Sequence, residues 1–163
     1  MVDDFQYLGS YIATTQNDLK QRKEKAWGAL WKLRKLWSST AELQMKIDLF
    51  KASVLTVFLY GSESWIVNKK QEKQINAFQT TCLRIILDIK REDHVSNEEV
   101  YRITGLRPLY TTIIDRQLRF LGHSLRRPKD DPVSQYALYT PHHGKTSRGR
   151  PNMQYVKYIS HLL

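Results

Sequence analysis

Cysteine is almost absent from this chain. Cys82 stands alone, which excludes an internal disulfide and any zinc site built from several thiolates. Long apolar runs are missing as well: no stretch approaches the roughly 18 uninterrupted apolar residues of a membrane span. The opening Met1-Val2-Asp3-Asp4 is acidic where a signal peptide would be basic and then apolar. No Gly-rich phosphate cradle and no nucleophile–base pair is visible. His94, His123, His142, His143 and His161 lack metal-ligand spacing, so neither metal nor other cofactor is expected. Acidic residues are in deficit, 16 Asp and Glu against 26 Lys and Arg, for a formal net charge of +10. That imbalance predicts a polyanionic partner, a phosphate backbone ahead of an anionic membrane. Together these features fit an intracellular protein, with the nucleus a candidate compartment.

What is present is a folded composition, 41% hydrophobic and 26% charged over 163 residues, enough for one or at most two compact domains. The bases cluster. Residues 16–37 hold seven of them (Lys20, Arg22, Lys23, Lys25, Lys32, Arg34, Lys35) against Asp18 and Glu24. Residues 111–163 hold nine against Asp115, Asp130 and Asp131, and the middle is close to neutral. Two basic surfaces flanking an ordinary globule are the expectation.

Residues 5–12, aromatic and β-branched, read as a strand, with Gly9 marking a bulge or a close backbone approach. Asn17 is a plausible N-cap for a first helix from Asp18 to Trp37, whose apolar face is Leu19, Ala26, Ala29, Leu30, Leu33 and Trp37. Trp27 and Trp31, four apart, either join the core or form a stacking ledge. Ser39-Thr40-Ala41-Glu42 has capping-box spacing and opens a second helix that Gly61 stops. Asn68 to Gln71 opens a third, with Cys82 as a small core hydrophobe. Ser96 to Glu99 opens a short helix ended by Gly105, and another runs from Tyr110 to Leu125. Beyond Lys129 the sequence turns to Pro, His, Gly, Ser and Thr: a short helix, a flexible basic loop, then a final helix with Pro151 in its first turn. Arg148-Gly149-Arg150-Pro151 matches the core of an AT-hook, which would enter a narrow minor groove, although plain phosphate contact is the favoured reading. Arg116, Arg119, Arg126 and Arg127 form either a solvated helix face or a phosphate-tracking ridge.

Five of these segments, in order, resemble one family. Phe5-Gln6-Tyr7-Leu8-Gly9-Ser10 is similar to the FxYLGS strand that follows the catalytic palm of non-LTR retrotransposon reverse transcriptases, the RTE-like endonuclease–reverse transcriptases in particular. Leu59 to Trp65 resembles that family's LYGSExW, Cys82 to Leu87 its CLRxIL, and Arg116 to His123 its RxLRWLGH. Gly144 to Pro151 is similar to its GKRxRGRP. Phe120 and Tyr155 stand where tryptophans are usual, Arg91 where a tryptophan is common and Lys157 where an acid is common, departures that suggest a drifted copy.

The resemblance implies a primer-grip-like strand at Phe5, Tyr7, Leu8 and Gly9, then a thumb that holds a template–primer duplex, then a C-terminal extension. Asp3-Asp4 is the one pair that invites comparison with the polymerase metal-binding aspartates. Met1 occupies the place of the aromatic residue, and no strand or third carboxylate precedes it, so the pair reads as a solvated flank. A non-enzymatic fragment without the catalytic palm and its aspartates is therefore expected.

The expected fold is mainly α: a thumb-like helical bundle with a short N-terminal β-strand or hairpin and a basic, partly flexible C-terminal segment. Its divisions are residues 1–16, 17–128 and 129–163, the last truncated. The expected function is sequence-tolerant binding of RNA or DNA through phosphates, without a membrane. The contacting residues are Lys20, Arg22, Lys23, Lys32, Arg34, Lys35, Arg116, Arg119, Arg126, Arg127, Lys145, Arg148 and Arg150. Two other readings stand beside it. One is a domesticated helical interaction module using Trp27, Trp31, Trp37 and Trp65, with self-association through an unpaired strand edge. The other is a non-functional retroelement relic.

Overall fold

The computed structural model describes residues 6–7, 10–11, 15–128, 130–132, 135 and 155–162, and among them the chain is mainly α-helical. Gln6–Tyr7 (β1) pairs antiparallel with Ser10–Tyr11 (β2), a two-residue ladder. Phe5, Leu8, Gly9 and Ile12, the rest of the expected strand, lie outside the described residues, as do Lys145 and Arg148 to Pro151. The chain forms two compact units, Met1–Gly61 with Val67–Thr112, and Ser62–Ile66 with Ile113–Leu163.

In the first unit, α1 (Thr15–Lys32) starts earlier than expected and takes Asn17 inside it. It also ends earlier. The chain turns at Leu33 (φ −100°, ψ 13°) before the short α2 (Arg34–Trp37), so the single helix expected to Trp37 is broken. Periodicity hid the break because Leu30, Leu33 and Trp37 keep helical spacing across it. Trp37 is nevertheless buried, its indole N–H donating to the Leu30 carbonyl at 2.8 Å.

The Ser39–Glu42 capping box does not form. Ser39 Oγ donates to the Leu36 carbonyl and accepts from the Ala41 N–H, so it closes α2 instead of opening the next helix. α3 (Leu43–Leu49) then runs through a π-helical stretch, Phe50–Leu55, into α4 (Thr56–Phe58). The wider turn brings Phe50, Val54, Leu55, Phe58 and Leu59 all into the core, more than a regular helical stripe would place there. Gly61 ends the run at φ 74°, a left-handed conformation that glycine adopts without steric cost.

α5 (Lys69–Ile86) begins on a complete capping box: Asn68 Oδ1 accepts from the Gln71 N–H, and Gln71 Oε1 accepts from the Asn68 N–H. α6 (Asn97–Thr104) is capped by Ser96 and closed by Gly105 at φ 64°. α1 packs on the π-helical stretch, α4 and α5, and α6 packs on α3 and α5. At the centre the Phe58 and Phe78 rings stack at 4.6 Å with an interplanar angle of 10°. Each such buried side chain contributes about 1.5–3 kcal/mol, and the ring pair on the order of 1 kcal/mol more. Cys82 is fully buried here, as expected of a core hydrophobe, and burial pushes its thiol up to about 12.

α7 (Leu109–Leu125) belongs to the first unit as far as Thr112 and to the second from Ile113. The second unit also holds a 3-10 turn at Ser62–Ser64 and α8 (Tyr155–Ser160). Its core is Trp65, Ile113, Tyr158 and Ile159 around a buried amide, Gln117. With Trp37 at 3% exposure and Trp65 at 1%, these two tryptophans are core residues and not part of the surface patch that the interaction-module reading needed.

Candidate nucleic-acid interface

Residues three and four apart on a helix share a face, and along α1 that spacing links Gln16, Lys20, Lys23, Trp27 and Trp31. Apolar positions Leu19, Ala26 and Leu30 anchor the adjoining face in the core. The stripe therefore lies along the shoulder of the buried side. Trp27 and Trp31 stack at 6.4 Å with an interplanar angle of 22°, and Trp27 meets Phe78 edge-on at 5.3 Å. Of the two readings open for this pair, each ring realises one. Trp27 is half-buried against the core, and Trp31 is 54% exposed as a ledge.

At one end of the stripe Lys20 and Lys23 border a small cavity of about 160 Å³ with Gln16 and Gln74. At the other, Trp31 and Arg34 border a larger recess of about 540 Å³. Lys20, Lys32, Arg34 and Lys35 are exposed and Lys23 is half-exposed. None of the five is held in an ion pair among the described residues. From Lys20 to Trp31 the stripe rises about 16 Å, whereas Lys32, about 120° round the helix from Lys20, stands off it.

Arg22 is a correction. The sequence expects it among the phosphate-contacting residues, but it is 5% exposed. Its guanidinium sits 4.3 Å from the centre of the Tyr60 ring and its Nε 3.7 Å from Asp18 Oδ1, a carboxylate that is itself buried. The physical reason is the Asp18–Arg22 spacing of one helical turn: the carboxylate has no access to water and holds the cation beside it.

The second basic stretch behaves differently. Arg116 Nε donates to Glu63 Oε1 at 2.9 Å and a second N–H of the guanidinium reaches the same oxygen, so this cation belongs to an internal ion pair. Beside it Gln117, fully buried, donates to the Ser62 and Trp65 carbonyls at 3.2 and 2.7 Å. The Tyr158 hydroxyl donates to Gln117 Oε1, and the Tyr155 hydroxyl to the Glu63 carbonyl at 2.6 Å. Burial, with the nearby Glu63 charge adding to it, pushes the Tyr155 phenol up to about 12. Arg127 bonds Asp131 at 3.0 Å and contacts His123 Nε2. Of the four arginines expected on this ridge, Arg119 and Arg126 are exposed, whereas Arg116 and Arg127 serve the fold.

Sequence reasoning passed over two cations. Arg84 borders the larger recess and donates to Asn97 Oδ1 at 2.9 Å. Lys46, only 9% exposed, donates from Nζ to the Trp37 and Ser39 carbonyls at 2.8 and 2.7 Å. The signal for Arg84 was available, a guanidinium set within the apolar run Cys82-Leu83-Arg84-Ile85-Ile86-Leu87 near a helix end. Among the described residues no group of three or more His, Cys, Asp or Glu is placed to hold a metal ion, and no helix is long and apolar enough to cross a membrane.

The chain is similar to a transposon-derived protein of Caenorhabditis elegans, 25% identical over 162 residues, a match that takes in 95% of this chain. The chain spans 58% of that protein's length. No protein-family model and no solved structure matches it.

Proposed function

We propose that this chain is a transposon-derived, thumb-like module that holds template–primer nucleic acid by its phosphates and without reading sequence. The observation that carries the reading is the set of cations Lys20, Lys23, Lys32, Arg34 and Lys35, exposed or half-exposed on α1 and α2, two helices whose apolar residues Leu19, Ala26, Leu30 and Trp37 are locked into the core. A body that must accept every template needs cations at fixed positions and no base readout, and unpaired ammonium and guanidinium groups on a rigid helix meet that need. Similarity to a transposon-derived protein and the order of the five motifs support the reverse-transcriptase context. Fluorescence anisotropy with an RNA–DNA hybrid of mixed sequence tests the reading. Tight binding at low salt, equal for two unrelated sequences, is expected. Negligible affinity at low salt removes the proposal.

A further inference from the structure

Two helices end at one place in the first unit. α2 ends at Trp37 with Ser38 as its C-cap, and α5 ends at Ile86 with Leu87 as its C-cap, after which Asp88 turns the chain with φ 53°. Between them lies the recess of about 540 Å³, lined by Trp31, Arg34, Lys46, Arg84 and Asp88 among others. Helix ends normally turn carbonyls toward such a space, which would repel an anion. Here many of them are already engaged. Lys46 Nζ takes the Trp37 and Ser39 carbonyls, Ser38 Oγ takes Arg34 O, and the Leu87 and Ile89 N–H groups take Leu83 O and Arg84 O. Three cations then face one carboxylate, Asp88, and the exposed Trp31 indole supplies an aromatic wall.

An aromatic face beside guanidinium groups, in a space within the roughly 300–1,000 Å³ of small-molecule sites, suits one ligand class: a nucleobase with its phosphate. The stripe running from Lys20 and Lys23 along α1 delivers a strand to that point. We infer that the recess takes a single unpaired nucleotide of the bound strand, its base stacked on Trp31 and its phosphate held by Arg34 and Arg84. This rests on the nucleic-acid reading above and adds to it a site that distinguishes an overhanging end from a blunt one.

The test compares a blunt RNA–DNA hybrid with the same hybrid carrying a single-nucleotide 3′ overhang, by anisotropy against the whole chain. The overhang should tighten binding about tenfold, in line with base–aromatic stacking. Replacing the overhanging nucleotide by an abasic one should abolish that gain in the unaltered protein, a control that no folding defect can mimic. Trp31→Ala should abolish that gain, and Trp31→Phe should keep most of it. Lys20→Ala with Lys23→Ala should weaken both hybrids equally and preserve the ratio. Equal binding of blunt, overhanging and abasic ends would overturn the recess while leaving phosphate binding intact. No binding of any of them would overturn both.

Discussion

The two basic stretches of this protein look alike in sequence and differ in what their charges do. On α1 and α2 five of the seven cations stand open to solvent, Lys23 is half-exposed, and Arg22 is drawn into the fold by Asp18 and Tyr60. On α7 and just beyond it, half of the four arginines are bound internally, Arg116 by Glu63 and Arg127 by Asp131. A cation held by a carboxylate contributes little field to a passing phosphate, whereas an unpaired one releases a counterion when it binds. Among the described arginines of the second stretch, counting charges therefore overstates the open cations by two.

The comparison breaks first at the surface. Reversing charge at Lys20, Lys23 and Lys35 together should lower hybrid affinity on the order of a thousandfold, about 4 kcal/mol, at low salt. Reversing Arg119 and Arg126 should cost tenfold or less, and equal losses in an anisotropy titration would erase the distinction. Next comes Arg22→Ala. Leaving Asp18 buried beside an empty space should cost about 3 kcal/mol of stability in a urea melt, with affinity within twofold. A large affinity loss without destabilisation would return Arg22 to the interface.

Smaller still is Gln117→Leu. It removes the amide that bonds the Ser62 and Trp65 carbonyls and the Tyr158 hydroxyl, and about 2 kcal/mol of stability should be lost with binding unchanged. Alkaline pH tests the cores of both units. Cys82 and Tyr155 are both raised to about 12 from ordinary values of 9.0 and 10.0, so the fold prefers their neutral forms. Their contribution is complete below those ordinary values and is lost as pH climbs toward 12. Thermal midpoints should fall from about pH 9 upward, and Cys82→Ala should delay the onset. A flat profile to pH 11 would contradict the burial of both groups.

How much of this was readable beforehand depends on range. The α5 capping box, the stops at Gly61 and Gly105 and the core position of Cys82 are local, set by residues within a few positions of each other, and sequence reasoning found them. The break at Leu33 is also local, yet the apolar spacing runs through it unchanged and conceals it. Ser39 was misassigned because a hydroxyl between two helices can serve either, and the Leu36 carbonyl is nearer its own turn. Arg116 with Glu63, 53 residues apart, is a matter of packing that no spacing rule reaches. That network also joins two of the five motifs: Gln117 in the fourth holds the backbone of Ser62 and Trp65 in the second. Part of what carried the resemblance is thus a packing signature.

Salt dependence of hybrid binding, measured on the unaltered chain and on the Lys20, Lys23 and Lys35 alanine triple variant, bears most directly on the account. A steep linear fall of log K with log salt is expected, by about 0.9 per neutralised phosphate on B-DNA and somewhat differently on a hybrid, with the variant's slope shallower by roughly three such contacts. A curve that stays level with salt, or one whose slope the three substitutions leave untouched, would show that these lysines do not hold a phosphate chain.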